Sequence, residues 1–446
     1  MKKVTIIGAG MMTGPIADYL MDTCNYQVIM ADRIVSKAQK IIRERPLGKA
    51  VELSVQDATA LDKVVNEADI VISMVPKPLH TYVARSCLRC RKNMLTTSYE
   101  TPEVLALADE AKEKGILFLN EIGEDPGLDH FGTQMILDDI KNDEGKVVEL
   151  NTYGCGLPAF EHNNNPMGYK FSWDPGTVFV AAQTAAAFYK KGKRIEVPGD
   201  RLFEHFQLIE VEDMGTFETY PNKDCKKYKE YFGLDDSVSF YRGILRYSGY
   251  CNNMKYLNKI GLFRSGEVKN FEGVSYRQLT ASLVGARRDK NLEKKVADYL
   301  KLHINADFIH RFKWLGFFDE KPINVKNGTN LDVLLERMLK KMSYKPHEKD
   351  MILVHIEALA EFPGKTMEKR TATMHFKGIP YGASAMSRAV GLPMAVAARL
   401  VLVGKIKAAG AHIPPTLPVL YRPVLHELAN LGFIFHKKTR KNKLGA

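Results

Sequence analysis

The glycines of Gly8-Ala9-Gly10-Met11-Met12-Thr13 follow directly on the apolar run Val4-Thr5-Ile6-Ile7 and precede a stretch that reads as a helix. The backbone amides of such a turn, with the positive end of the helix dipole behind them, suit a pyrophosphate. Gly8 and Gly10 fill the first positions of a dinucleotide fingerprint; Thr13 stands at the third, and Gly14, one residue later, is expected to serve close helix–strand packing. A second apolar run ends in Ala31-Asp32-Arg33. A carboxylate at that point accepts hydrogen bonds from adenosine ribose hydroxyls and repels a 2′-phosphate, which favours NAD. The Arg33 guanidinium can stack on adenine or pair with that phosphate, and so leaves NADP open.

Two further clusters combine hydroxyl and carboxylate groups. Thr96-Thr97-Ser98-Tyr99-Glu100-Thr101-Pro102 follows one apolar run, and Glu121-Ile122-Gly123-Glu124-Asp125-Pro126-Gly127-Leu128-Asp129-His130 follows another. Both fall where open α/β sheets place their ligands, at the carboxyl ends of strands. Asp125 is expected to cap the helix that starts at Pro126-Gly127. Cys87-Leu88-Arg89-Cys90 has redox or zinc spacing, but it lies in a helical stretch without a second cysteine pair and reads as two helix thiols. The 12 histidines show no ligand spacing, and no metal is expected.

The elements that position these clusters repeat with βαβ rhythm. Strands are expected over Val4–Ile7, Gln27–Ala31, Ala50–Leu53, Ile70–Val75, Asn93–Thr96 and Leu117–Leu119, separated by amphipathic stretches. This is the pattern of a Rossmann doubly wound parallel sheet. After Asp129 the rhythm stops, and Lys146–Cys155 reads as a strand entering a loop rich in Asn, Gly and Pro. Helical periodicity dominates from Ser275 to Lys341. Met351–Glu357 and Lys369–Phe376, on either side of Pro363-Gly364, read as an antiparallel pair, and Ser384 to Gly404 reads as a buried helix pair broken near Gly391-Leu392-Pro393.

The expected fold is α/β: the Rossmann sheet, a mixed α/β substrate and dimerisation domain, and a small helical insertion. The divisions are 1–125 with 385–446, 126–265 with 342–384, and 266–341. A chain of 446 residues exceeds the roughly 250–300 at which single cores stop growing. With 45% hydrophobic and 26% charged residues the composition is that of an ordinary globular protein.

No run of uncharged apolar residues reaches the length of a membrane span, and the N-terminus enters a strand at once, so neither a membrane partner nor an export signal is expected. Six scattered cysteines suit a reducing cytoplasm. The net charge of +12 is diffuse except in the tail His436-Lys437-Lys438-Thr439-Arg440-Lys441-Asn442-Lys443, which reads as a solvated end. Nucleic acid is not expected as a partner, since the sign fits anionic small molecules.

Asp125-Pro126-Gly127-Leu128-Asp129-His130, Tyr153-Gly154-Cys155-Gly156-Leu157-Pro158-Ala159, Gly168-Tyr169-Lys170-Phe171-Ser172-Trp173 and Arg242-Gly243-Ile244-Leu245-Arg246-Tyr247 together resemble the saccharopine reductases, the glutamate-forming saccharopine dehydrogenases. The resemblance runs in order from residue 3 to about residue 430. It implies a homodimer and a reversible reaction of lysine metabolism. Hydride leaves the carbon beside the secondary amine of saccharopine for NAD(P), and the imine is hydrolysed to glutamate and 2-aminoadipate 6-semialdehyde.

The same resemblance implies the site. Ser98, Tyr99, Asp125, Lys223 and Arg246 would contact saccharopine, whose three carboxylates call for cations; Arg246 would be a bidentate clamp, and Lys223 stands where the family has arginine, keeping charge without the fork. Tyr99, Asp125 and Cys155 would lie at the reacting centre, the first two as conceivable proton carriers and Cys155 as a small neutral wall. Cofactor contacts are expected at Gly8, Gly10, Met11, Met12, Asp32, Arg33, Ser54, Val55, Val75, Thr97, Ser98, Asp125, Pro126, Gly127 and Asp129. Ser54-Val55 replaces an aspartate at the third strand's end, and Val75-Pro76 an aromatic residue after the fourth.

Two other functions share the dinucleotide half: an imine or amine dehydrogenase of the lysine or carboxynorspermidine type, and a dinucleotide-binding regulatory protein without turnover. The substrate-side motifs disfavour the first. The joint presence of Tyr99, Asp125 and Arg246 disfavours the second.

Overall fold

Apolar runs flanked by amphipathic helices can bury both faces only as inner strands of a covered sheet. In a computed structural model of the chain, which describes residues 1–286 and 291–442 (the side chain of Asn442 excepted), they do so. The strands are β1 (Lys3–Ile7), β2 (Gln27–Asp32), β3 (Gly48–Glu52), β4 (Ile70–Ser73), β5 (Asn93–Thr96) and β6 (Leu117–Leu119). A strand much later in the chain, Gly410–His412, joins the edge beyond β6, so the sheet has seven strands rather than the six expected. From that edge the order is Gly410–His412, β6, β5, β4, β1, β2, β3, and the paired neighbours run parallel. β4 stops at Ser73 instead of Val75: the Met74 amide still donates to the Ile7 carbonyl, and the chain then turns at Pro76.

The chain divides into two compact units, 1–156 with 227–240 and 351–446, and 157–226 with 241–350. The first holds the parallel sheet and, beyond it, the helix Leu128–Asn142 and the hairpin Asp350–Phe362 with Thr366–Lys377. The hairpin register runs from Met351 opposite Lys377 to Phe362 opposite Thr366. The basic tail is exposed, as expected of a solvated end, but it is ordered as an edge strand. His436–Asn442 is a strand, antiparallel to Thr366–Lys377, with Thr373 opposite His436; Lys443 lies outside the described residues.

The expected helix pair is one helix, Ala385–Leu402, with Pro393 inside it. Its length and composition would also suit a membrane span, but 72% of it is buried as a core helix. Burial of both faces outweighs the local cost of proline, about 3 kcal/mol in a helix interior.

In the second unit Gln207–Val211, Gly215–Pro221 and Ser239–Arg246 form an antiparallel meander, beside which lies the hairpin Ala186–Lys190 with Lys193–Val197. The helical stretch expected from Ser275 contains the helices Tyr276–Leu283, Leu292–Leu300, Asp307–Leu315 and Asn330–Met342. Ser275 with Gln278 and Thr329 with Asp332 form capping boxes at the first and last of these. Their apolar faces meet in an aromatic core in which Phe179 and Phe263, and Phe312 and Phe318, pack edge to face.

Candidate active site

The cofactor turn is shaped by one glycine and left open at the other. Gly8 has φ +107°, and a Cβ there would stand 2.6 Å from the Met74 carbonyl oxygen, so no other residue fits. A Cβ at Gly10 would meet nothing within 4 Å, which leaves the backbone free to approach a ligand. Thr13 replaces the third glycine by bonding back, its hydroxyl donating to the Gly10 carbonyl at 2.8 Å. Gly14, expected to make the close packing, faces open space. The close approach belongs to Gly391 of the long helix, where a Cβ would lie 2.9 Å from the Met12 carbonyl oxygen. Met11 is exposed, and Arg33 extends into solvent beside half-buried Asp32.

Asp32 is committed to the backbone as well as available to a ribose. Its Oδ2 accepts the Ala9 amide at 2.7 Å and its Oδ1 the Ile34 amide at 2.8 Å. Ser54 and Val55 follow β3, where the Ser54 carbonyl accepts the Asp57 amide; Val75 is half-buried after β4. This turn with Asp32 fits a dinucleotide: the backbone at Gly10 is open to close approach, and a carboxylate stands at the end of β2.

At the ends of β5 and β6 the other expected residues converge. The Tyr99 hydroxyl donates to Asp125 Oδ1 at 3.1 Å, and Thr97 Oγ1 is 3.9 Å from Met74 Sδ. Asp125-Pro126 is a cis peptide, and Gly127, at φ +145°, packs so tightly on Gly123 that a Cβ would overlap its backbone. Asp125 is not the helix cap. Gly127 occupies that position without a side-chain bond, and Asp129 Oδ1 accepts the Gly127 amide at 2.7 Å. Cys155 is buried, and its thiol lies 3.7 Å from the Leu353 carbonyl.

The sequence pattern missed Glu121, the hub beneath this loop. It is fully buried at φ +62°, a backbone conformation that side chains other than glycine rarely adopt. Its carboxylate accepts from Lys227 Nζ at 2.7 Å, from the Tyr228 hydroxyl and His130 Nε2, each at 3.0 Å, and from the Glu100 amide at 3.2 Å. Its own amide donates to the Ser98 carbonyl at 3.1 Å, so Glu121 grips the backbone on both sides of Tyr99. Burial alone would raise its pKa, but the hydrogen bond and charge of His130 and the Lys227 ammonium hold it at about 2. Burial pushes the neighbouring Glu100 carboxyl up, against the pull of Lys227.

His80 was also missed. It is buried between Ser73 and Ser98, and burial, aided by Lys77, holds its pKa down at about 4. Cys87 is buried on the helix His80–Cys90, as expected of a helix thiol, and burial pushes its pKa up. Among the described residues, no three His, Cys, Asp or Glu side chains are grouped as metal ligands.

In the second unit Arg246 is 5% exposed, on Ser239–Arg246. Its guanidinium lies 5.1 Å from the ring centres of Tyr169 and Tyr250 and 5.8 Å from that of Tyr220, and its Nη1 donates to the Leu245 carbonyl. Three rings around a planar cation fix its plane and supply cation–π stabilisation. Lys223 is half-buried at φ +62°, with its carbonyl accepting the Ala187 amide.

A parallel sheet in this strand order, with a glycine turn after β1 and an acidic residue ending β2, defines a dinucleotide-binding protein of the doubly wound class. The chain belongs to the saccharopine dehydrogenase family. Residues 4–119 match the saccharopine dehydrogenase NADP binding domain and residues 123–433 the saccharopine dehydrogenase C-terminal domain. Saccharopine dehydrogenase [NADP(+), L-glutamate-forming] of Schizosaccharomyces pombe is 31% identical, with 97% of this chain and 98% of that protein covered. Mitochondrial alpha-aminoadipic semialdehyde synthase of Mus musculus is 32% identical over 98% of this chain, which spans 48% of that longer protein. The structure of apo saccharopine dehydrogenase (L-Glu forming) from Saccharomyces cerevisiae superposes with a TM-score of 0.90 at 30% identity, covering 99% of this chain and all of that one.

Proposed function

We propose that this chain is a glutamate-forming saccharopine dehydrogenase, converting saccharopine reversibly to glutamate and 2-aminoadipate 6-semialdehyde. The observation that carries the reading is the bond between Tyr99 and Asp125 at the carboxyl ends of β5 and β6, on the sheet that bears the cofactor turn. A bound nicotinamide would supply the hydride acceptor for the carbon beside the secondary amine. The protein's part is to bind and orient. Asp125 presents a carboxylate to the cationic nitrogen, and Tyr99 holds that carboxylate in one rotamer. Water adds to the imine carbon, and the resulting carbinolamine collapses to the aldehyde with cleavage of its C–N bond, the departing glutamate nitrogen taking up the proton that water releases. Cys155 serves as a neutral wall, its thiol near the Leu353 carbonyl.

Arg246, preorganised by its tyrosines, clamps one substrate carboxylate with two parallel hydrogen bonds, and Lys223 meets another as a point charge. Ser98 donates to a carboxylate. Gly8, Gly10, Met11 and Met12 carry the pyrophosphate; Asp32, Arg33, Ser54 and Val55 the adenosine; and Val75, Thr97, Ser98, Asp125, Pro126, Gly127 and Asp129 the nicotinamide half. The Asp32 carboxylate favours NAD on charge. NADP, which stands in the names of the relatives, requires Arg33 to pair with the 2′-phosphate.

A cytoplasmic homodimer belongs to the same proposal, with 126–265 and 342–384 as the dimerising domain. Six cysteines scattered through the sequence support a reducing compartment. Purified protein mixed with saccharopine and either NAD or NADP should show the absorbance of reduced nicotinamide, more rapidly with NAD. No signal with either cofactor refutes the assignment.

A further inference from the structure

Ser98 has a fixed backbone. Its amide donates to Thr96 Oγ1 at 3.2 Å, and its carbonyl accepts the Glu121 amide. What remains to be set is the direction of its hydroxyl hydrogen, which decides whether Ser98 offers a donor or only a lone pair. His80 lies 2.8 Å from that hydroxyl through Nε2 and 2.8 Å from the Ser73 hydroxyl through Nδ1.

Ser73 is completely buried at the end of β4, and its hydroxyl proton needs an acceptor. The structure gives its Oγ the His80 ring as partner. Nδ1 must then be the unprotonated nitrogen of a neutral imidazole, and the ring proton sits on Nε2. Nε2–H donates to Ser98 Oγ and occupies one of its lone pairs, so the Ser98 hydrogen is turned away from His80.

We propose that His80 is a positioning residue that holds the Ser98 hydroxyl as an outward donor, which selects a carboxylate of the substrate and disfavours an ammonium group at that point. The inference rests on the reading of Ser98 as a substrate contact. Burial and the neighbouring Lys77 charge keep the ring neutral, as the arrangement needs.

Two substitutions separate this role from simple filling of space, because the amide of glutamine reaches where Nε2 stands and that of asparagine only where Nδ1 stands. The KM for saccharopine should rise about tenfold in His80→Asn and less than about threefold in His80→Gln, since the latter still donates to Ser98. Fluorescence of bound reduced dinucleotide serves as the folding control. An equal rise in both variants overturns the proposal. Nitrogen NMR of the histidine rings gives a readout independent of turnover: His80, assigned by its loss in His80→Gln, should show a protonated Nε2 and an accepting Nδ1 whose shift changes in Ser73→Ala. A ring protonated at Nδ1, or at both nitrogens, overturns it as well. A wild-type protein that fails to oxidise saccharopine while showing the expected tautomer refutes the proposed function and leaves the positioning intact.

Discussion

Asp32 closes the turn that carries Gly8 and Gly10, its Oδ2 accepting the Ala9 amide hydrogen at 2.7 Å. The acidic residue at the end of β2, proposed above as a ribose acceptor, is therefore also a structural member of the glycine turn. Its removal acts twice. In Asp32→Ala the KM for NAD should rise about tenfold, the scale of a lost charge-assisted hydrogen bond. The KM for NADP should rise less, because repulsion of the 2′-phosphate is relieved. Steady-state kinetics with both cofactors measure this, and an unchanged ratio would show that the carboxylate does not discriminate.

Gly391 shapes the same turn from the other end of the sequence. Adding one methyl at 2.9 Å from the Met12 carbonyl forces the helix or the turn to move, at a cost of about 1–3 kcal/mol. Gly391→Ala should weaken dinucleotide binding, although residue 391 lies outside the glycine fingerprint. Titration of reduced nicotinamide fluorescence reads it; Gly14→Ala, which meets open space, is the contrast and should bind as the wild type does.

Tyr99→Phe removes the hydrogen bond that orients Asp125 and leaves the ring. With orientation as the role of Tyr99, kcat/KM for saccharopine falls about tenfold and activity persists. Abolition of turnover would instead identify the hydroxyl as an obligatory proton carrier.

Acid should unfold the first unit in two overlapping stages. His80 is pushed down from 6.5 to about 4 and Glu121 from 4.5 to about 2, so in both cases the unfolded chain takes up the proton first. The stability due to His80 is complete above pH 6.5 and is lost as pH falls toward 4; that due to Glu121 is complete above 4.5 and is lost toward 2. The part due to His80 amounts to about 3 kcal/mol. Urea denaturation at a series of pH values should show the upper loss in the wild type and a flatter profile in His80→Gln; parallel profiles would contradict it.

Much of this was legible from local pattern. β1, β2, β4, β5 and β6 could be read because strands buried on both faces need unbroken apolar runs, and Gly8 because a turn this tight admits no side chain. Glu121 was not legible. Its partners Lys227 and Tyr228 lie more than a hundred residues away, and a glutamate after a strand looks like any surface carboxylate until they arrive. Asp125 was misread as a cap because Asp-Pro-Gly before a helix is a capping sequence, whereas Asp129, inside the helix, binds the free Gly127 amide. The strand His436–Asn442 was hidden by its own charges, since lysines along an edge strand look like a solvated tail. Pro393 suggested a break that packing around the helix overrides.

Gly391 also sets an order of events. The turn at residues 8–14 leaves the ribosome well before the helix that packs against it and the strand Gly410–His412 that extends its sheet, which are made only from residue 385 onward. A nascent chain therefore cannot complete its dinucleotide-binding half until residue 412 has been synthesised, and truncation before that point should abolish cofactor binding without touching any residue proposed to contact the cofactor.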